Sequence, residues 1–184
     1  MEVESKVRLE PGEEDRLAST LKQLAIAPGE PARQRDVYYK ERGFRDRVQG
    51  PGSYLVRVRY TDAGTTLNMK RLTAQDGVWE ETETSVGRGE VAESIIQAIG
   101  AEHAVTVAKV RRMATVDDLE VIIDEVDDLG TFLELAVETD DDTAAARAKI
   151  DAFLGTLGIA PERVELRGYP TMLLEAQGVK FSVK

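Results

Sequence analysis

The sequence predicts an α+β fold, in which antiparallel strands form a curved sheet or a closed barrel and helices pack on its outside. Segments in which apolar and polar residues alternate recur along the chain and are separated by turn signals such as Asp62-Ala63-Gly64, a pattern typical of strands. Other segments carry apolar residues at helical spacing, as at Leu17, Leu21 and Leu24. Most of the expected strands also have one charged face, with both signs of charge represented among the strands, and the helices would cover the other, apolar face.

The first half of the chain is expected to begin with a strand at residues 1–9, because Glu2, Glu4, Lys6 and Arg8 alternate with smaller or apolar residues. A helix over residues 13–25 follows the break at Pro11-Gly12 and has acidic residues in its first turn. The next strands are expected at residues 33–40, 53–61, 65–72 and 78–86, with Asp76-Gly77 as the hairpin turn between the last two.

The second half begins with a helix over residues 89–99, and its apolar residues Val91, Ile95, Ile96 and Ile99 are expected to be buried. Strands are then expected at residues 104–115, 119–126, 131–139 and 163–166. A helix to about residue 157 begins at the acidic run 140–142, which suits a helix start better than a metal site, and a last helix begins at Pro170.

Composition excludes several classes of function. The 184 residues suffice for one domain over 1–184, and the absence of cysteine excludes disulfides and thiolate metal sites. His103 is the only histidine, so a Ser-His-Asp triad or a histidine-based zinc site is not expected. No apolar run could span a membrane, and we expect a cytoplasmic protein.

The net charge of -10 argues against nucleic acid as a partner, because nucleic-acid binding needs an extended basic face. Residues 1–92 contain 16 acids and 15 bases, a net of -1, and residues 93–184 contain 18 acids and 9 bases, a net of -9. A small polyanion could still bind where basic side chains converge.

The charged strand faces are the strongest indication of function. A single charged face is common on a half-exposed strand, but burying many charges inside a curved sheet is costly unless they pair or bind ions. We therefore expect a cavity for phosphates and divalent cations. The expected phosphate ligands are Lys6, Arg57, Arg59, Lys70, Lys109 and Arg111. The expected ligands of Mg²⁺ or Mn²⁺ are Glu2, Glu4, Glu81, Glu83, Asp124 and Glu134.

These residues resemble the CYTH superfamily, the triphosphate tunnel metalloenzymes, over nearly the whole chain. Glu2-Val-Glu4-Ser-Lys6 is similar to the Glu-x-Glu-x-Lys signature at the N-terminus of that family. The other matching segments are Gln34-Arg-Asp36-Val-Tyr38-Tyr39, Leu55-Val-Arg57-Val-Arg59, Lys70, Glu81-Thr-Glu83-Thr, Lys109-Val-Arg111 and Asp124-Glu-Val-Asp-Asp-Leu129-Gly130-Thr-Phe132-Leu-Glu134. The ordered set carries the resemblance, because no single motif is decisive.

The resemblance implies an eight-stranded antiparallel β-barrel, the triphosphate tunnel, with helices outside. It implies that the basic residues bind a triphosphate, that carboxylates bind one or two metal ions, and that Lys6 and Tyr38 help to activate water. One position departs from the family, which usually has Glu-x-Glu here: Ala136 follows Glu134. Either Glu138, on the same face, substitutes for the second carboxylate or one metal position is weakened.

Three functions fit these residues. The first is metal-dependent hydrolysis of a nucleoside, thiamine or inorganic triphosphate. The second is a class IV adenylate cyclase that converts ATP to cyclic AMP and pyrophosphate; the segment from Gln34 to Arg59 is most similar to that branch. The third, suggested by Ala136, is a polyphosphate or nucleotide binding module without turnover. The expected partner is a small-molecule triphosphate, without nucleic acid or membrane, and a homodimer is left open.

Overall fold

The computed structural model describes residues 1–75, 78–140 and 142–182, and contains strands and helices close to the expected positions. The strands are β1 (Glu2–Arg8), β2 (Ala32–Glu41), β3 (Tyr54–Thr61), β4 (Gly64–Leu72), β5 (Val78–Val86), β6 (Ala101–Val116), β7 (Leu119–Val126), β8 (Gly130–Glu138) and β9 (Val164–Glu165). The helices are α1 (Glu13–Gln23), α2 (Gly89–Ala98), α3 (Thr143–Thr156) and α4 (Tyr169–Ala176). Short 3-10 turns occupy Phe44–Asp46 and Pro161–Arg163. The expected hairpin turn Asp76-Gly77 and Asp141 of the acidic run lie outside the described residues.

The expected helix start near residue 142 is confirmed. Asp142 is the N-cap of α3, and its carboxylate accepts a hydrogen bond of 2.8 Å from the backbone N–H of Ala145. Such a cap satisfies one of the backbone donors that a helix leaves without a partner at its first turn.

The chain divides into two compact units. The first comprises residues 1–32 and 110–166. In it β1 lies between β8 and β9, and β8 pairs on its other side with β7, all antiparallel. The helix α3 packs against β1 and β8 and buries Ala146, Ile150 and Leu154. The apolar face of these strands is therefore covered, as expected, while Glu2, Glu4 and Lys6 lie on the other face.

The second unit comprises residues 33–109 and 167–184. Its strands β2, β3, β4 and β5 form an antiparallel meander in that order. The helix α2 packs against β3 and β4, and its Ile96 joins a buried cluster with Val37, Tyr39 and Val58. The apolar face of the meander is again the one that a helix covers.

The expected burial of the long apolar residues of α2 is wrong for three of the four. Ile96 is buried, but Val91, Ile95 and Ile99 are exposed, Ile99 to 79%. The reason is the hydrogen bonds that Glu93 on α2 accepts from the hydroxyls of Tyr39 and Tyr60. They turn the face that carries Glu93 and Ile96 toward the strands.

Within the described residues, no helix has the length and apolar character needed to cross a membrane.

Candidate functional site

The second unit contains a group of charged and polar side chains on the face of the meander opposite α2, here called the basic cluster. Its register places Tyr38, Arg57, Asn68 and Glu83 side by side on β2, β3, β4 and β5. Directly opposed residues in antiparallel strands share a face and have Cβ atoms about 5 Å apart. The cluster consists of Asp36, Tyr38, Arg57, Arg59, Asn68, Lys70, Glu81, Glu83 and Lys109.

Arg57 lies at the centre of the basic cluster. Its side chain is about 5% exposed, and Nη2 donates to Glu81 Oε1 at 3.3 Å and to Glu83 Oε2 at 3.0 Å. Its Nε is buried without a hydrogen-bond partner in the described part of the chain. Burial opposes the charge of Arg57, but Tyr38, Asp36 and Glu81 outweigh it and hold its pKa above the usual value. Arg57 therefore stays charged and keeps one donor available for an anion.

Arg59 is held by Asp36, a residue to which the sequence analysis assigned no role. Arg59 Nε and Nη2 each donate to a different oxygen of the Asp36 carboxylate at 2.7 Å. Burial of Asp36 disfavours its ionised form, but the hydrogen bonds and charge of Arg59, with those of Lys109 and Arg57, lower its pKa to about 2. This bidentate pair fixes the guanidinium plane of Arg59.

Tyr38 is buried and lies directly opposite Arg57 in the register of β2 and β3. Burial and the negative charge of Asp36 raise the pKa of Tyr38 above its usual value, despite the nearby arginines. The phenol is therefore protonated at neutral pH and is a hydrogen-bond donor, not a base.

Lys70 and Lys109 have aromatic neighbours as well as charged ones. Lys70 Nζ lies 3.2 Å from Glu81 Oε2 and 5.9 Å from the centre of the buried Trp79 ring. Lys109 Nζ lies 5.1 Å from the centre of the Tyr169 ring, at the start of α4. Such contacts with aromatic faces stabilise buried cations.

The first unit contains a second group, here called the acidic cluster. It consists of Glu2, Glu4, Lys6, Arg111, Glu120, Asp124, Glu134 and Glu138. Lys6 is buried, and its Nζ lies 2.7 Å from Glu4 Oε1 and 3.3 Å from Glu134 Oε2. Arg111 donates through Nε and Nη2 to Asp124 at 2.8 and 2.5 Å and through Nη2 to Glu134 at 3.0 Å. Two cations thus bridge three buried carboxylates.

Glu120 belongs to the acidic cluster although the sequence analysis missed it. Its register partner on β8 is Ala136, whose partner on β1 is Glu4. Burial raises the pKa of Glu120 first, and the charges of Glu2, Glu134 and Glu138 raise it further against the opposing effect of Arg111. These carboxylates are therefore within electrostatic reach of one another.

The donor set of the acidic cluster suits a hard divalent cation, because carboxylate oxygens are the ligands that Mg²⁺ and Mn²⁺ prefer. Within the described ranges no three acidic or histidine side chains already converge as a metal site. Lys6 and Arg111 contact Glu4, Asp124 and Glu134 instead. The carboxylates fit the metal chemically. To bind it, they would have to replace their contacts with Lys6 and Arg111 by contacts with the metal ion.

The structure brings the predicted residues together within each unit. Tyr38, Arg57, Arg59, Lys70, Lys109, Glu81 and Glu83 lie in the basic cluster, and Glu2, Glu4, Lys6, Arg111, Asp124 and Glu134 lie in the acidic cluster. Glu81 and Glu83, which were expected as metal ligands, both contact Arg57, and Glu81 also contacts Lys70. Their role as metal ligands stays a prediction.

The sequence analysis missed three residues of these clusters, namely Asp36, Asn68 and Glu120. Asp36 and Tyr38 are two positions apart on β2, as are Asn68 and Lys70 on β4, and Glu120 lies four positions before Asp124 on β7. Alternation along each strand was the signal that could have found them.

Comparison with known proteins supports one family. The CYTH domain family matches residues 1–169. A protein of Methanocaldococcus jannaschii, provisionally named an adenylate cyclase, is 27% identical over 139 residues, which are 73% of this chain and 75% of that protein.

Solved structures show the same fold. A protein of Pyrococcus horikoshii matches with a TM-score of 0.80 at 22% identity, over 93% of this chain and 98% of its own. A provisionally named adenylyl cyclase from Hippeastrum, described as revealing a dominant triphosphatase activity, matches with a TM-score of 0.66 at 18% identity, over 97% and 96%. The predicted fold class, α+β with an eight-stranded antiparallel β-barrel, is confirmed. The family match over residues 1–169 establishes that this chain belongs to the CYTH domain family, the triphosphate tunnel metalloenzymes.

Proposed function

We propose that the protein is a metal-dependent enzyme that hydrolyses a nucleoside, thiamine or inorganic triphosphate. The observation that carries this proposal is the basic cluster, in which Arg57, Arg59 and Lys70 lie on two adjacent strands. The buried Asp36 holds Arg59, and the more exposed Glu81 holds Arg57 and Lys70. Arginine forks match phosphate oxygens and keep their charge at any working pH. The triphosphatase activity described for the Hippeastrum protein of the same fold supports hydrolysis.

In this proposal Arg57, Arg59, Lys70, Lys109, Arg111 and Lys6 bind the phosphates. Their fixed charges stabilise the negative charge of the phosphoryl-transfer transition state without reorganisation. Glu2, Glu4, Glu81, Glu83, Asp124 and Glu134 are the proposed metal ligands. A bound Mg²⁺ or Mn²⁺ would supply further neutralisation of the phosphate oxygens.

Catalytic roles are proposed for Lys6 and Tyr38. The raised pKa of Tyr38 keeps its hydroxyl protonated, so that it can donate a hydrogen bond and orient an acceptor on the bound substrate. Lys6, between two carboxylates, is the proposed proton carrier for the attacking water.

A second candidate is a class IV adenylate cyclase, in which the ribose 3′-hydroxyl of ATP attacks the α-phosphate and pyrophosphate leaves. The observation that favours it is the 27% identity to the provisionally named cyclase of Methanocaldococcus jannaschii. A third, a binding module without turnover, is motivated by Ala136.

Product analysis separates the three candidates. The protein is incubated with Mg²⁺ or Mn²⁺ and, in separate reactions, ATP, inorganic triphosphate and thiamine triphosphate. Release of orthophosphate supports the hydrolase, and cyclic AMP with pyrophosphate supports the cyclase. Tight binding without any product supports the binding module and contradicts both enzymatic proposals.

Arg57→Ala tests the phosphate site. We expect its affinity for inorganic triphosphate in calorimetric titration to fall roughly tenfold or more, since a hydrogen bond to a charged group contributes about 1.5–3 kcal/mol. Arg71→Ala is the matched control, because Arg71 lies on the opposite face of β4 from the cluster, where its Nη1 is 3.5 Å from Glu80 Oε2. Equal affinity of the two variants would contradict the proposed site.

A further inference from the structure

Ala136 lies at the centre of an acidic part of the first unit. In the register of the sheet its neighbour on β1 is Glu4 and its neighbour on β7 is Glu120. Two residues along β8, Glu134 lies opposite Lys6, and in the other direction Glu138 lies opposite Glu2. Side chains that oppose one another across strands share a face, so these carboxylates surround the methyl group of Ala136.

Ala136 is buried and has the shortest side chain of the three residues in this row across β1, β8 and β7. Neighbouring strands are about 4.8 Å apart, so Glu4 and Glu120 start from backbones about 10 Å apart with Ala136 between them. Glu120 is half-buried, and the register and alternation of the strands place it on the same face as Glu4 and Glu134. Glu120 can therefore reach the region that a longer side chain at 136 would occupy.

We propose that Glu120 supplies the metal ligand that Ala136 lacks, so that a divalent cation is bound by Glu4, Glu134 and Glu120. This inference rests on the proposed metal-dependent function and names a residue of the same site. A chain without the second carboxylate on β8 would then keep its set of carboxylate ligands, because β7 provides the missing carboxylate.

Glu138, the substitute considered from the sequence, is a weaker candidate by position. It is the last residue of β8, it is exposed, and its register partner is Glu2, not Ala136. Glu120 is half-buried and directly beside Ala136.

The test measures binding of Mn²⁺ alone to the full chain, by calorimetry and by the EPR signal of free Mn²⁺. We expect Glu120→Gln to weaken Mn²⁺ binding at least tenfold, since even outer-shell substitutions cost roughly 10- to 100-fold. Glu125→Gln is the matched control, because Glu125 lies on the same strand with the same charge but is exposed on the opposite face. Its affinity should stay within about twofold of the wild type, because an exposed substitution away from the site changes little.

A rescue variant distinguishes ligation from a structural role. In the double variant Glu120→Gln/Ala136→Glu the carboxylate returns to β8, and we expect most of the lost Mn²⁺ affinity to be recovered. The metal-free Glu120→Gln variant should unfold at the same temperature as the wild type or higher, because the substitution removes a carboxylate that Glu2, Glu134 and Glu138 repel. A purely structural role would lower that temperature and would not be rescued.

Two results would overturn the inference while leaving the proposed function standing. One is wild-type Mn²⁺ affinity in Glu120→Gln. The other is a loss confined to Glu138→Gln, which would make Glu138 the substitute. A wild-type chain that binds inorganic triphosphate but no Mn²⁺ would contradict the metal dependence of the proposed function and the inference together.

Discussion

Asp36 shows at the scale of one residue how the basic cluster keeps a buried carboxylate charged. Its exposed fraction is 1%, and an isolated carboxylate in such a place would take up a proton. The two hydrogen bonds from Arg59 reverse that preference. The cluster therefore carries an ion pair before any ligand binds, and this pair fixes Arg59 in the orientation that the proposed phosphate site would use.

The ionised Asp36 should make stability depend on pH in acid. Its pKa is about 2 in the folded protein against an ordinary aspartate pKa of 3.8, so the stabilisation is complete above pH 4 and is lost as pH falls toward 2. The shift corresponds to about 2 kcal/mol. Urea unfolding between pH 2 and pH 6 should show that the stability difference between wild type and Asp36→Asn shrinks as pH falls. A difference that does not change with pH would contradict the ion pair.

Which residues carry charge was predictable from the sequence, but which residues meet was not. Alternation along β3 and β4 placed Arg57 and Lys70 on polar faces, as found. The pairing of Tyr38 with Arg57, or of Ala136 with Glu120, depends on strand register, which alternation leaves open by any even number of residues. The sequence analysis consequently assigned no role to Asp36, Asn68 or Glu120.

The helix α2 shows the same limit at the scale of an element. Its bounds were predicted within one residue, but its packed face carries Gly89, Ala92 and Ile96, whereas Val91, Ile95 and Ile99 lie outside. The sequence analysis took the helix positions with large apolar side chains as the buried face. The face that packs is decided by Glu93, whose partners Tyr39 and Tyr60 are distant in sequence.

At Gly89 the backbone of α2 lies close to the ring of Tyr60 on β3. A Cβ added there would lie 2.5 Å from Tyr60 Cε1 and 2.6 Å from its hydroxyl oxygen. We expect Gly89→Ala to displace the tyrosine ring and lower the free energy of unfolding in urea by about 1–3 kcal/mol.

Gly87→Ala is the control for that substitution. An added Cβ at Gly87 would have no neighbouring atom within 4 Å. We expect this variant to stay within about 0.5 kcal/mol of the wild type. A Gly89→Ala protein as stable as Gly87→Ala would show that α2 packs less closely than described.

At the scale of the whole molecule, the two units do not follow the order of the chain. The first unit joins the N-terminal 32 residues to residues 110–166, because β1 pairs with β8. Pairing between strands more than 120 residues apart cannot be inferred from local pattern. The division of charge between residues 1–92 and 93–184 therefore has no direct structural counterpart.

The prediction of a single domain over residues 1–184 has a calorimetric test. One cooperative domain should unfold in a single transition whose calorimetric and van't Hoff enthalpies agree. Both units contain residues from separated parts of the chain, so we expect this outcome. Two resolved transitions, or a van't Hoff enthalpy near half of the calorimetric one, would contradict it.

The placement of Glu4 and Glu120 on either side of Ala136 has a consequence for recognising distant relatives. A search for two glutamates separated by one residue fails on β8, yet the sheet places acidic residues beside Ala136 from the two neighbouring strands. A carboxylate can be supplied by a neighbouring strand and still lie at the same place in the fold. Classification by spatial neighbours would keep together proteins that a linear pattern separates.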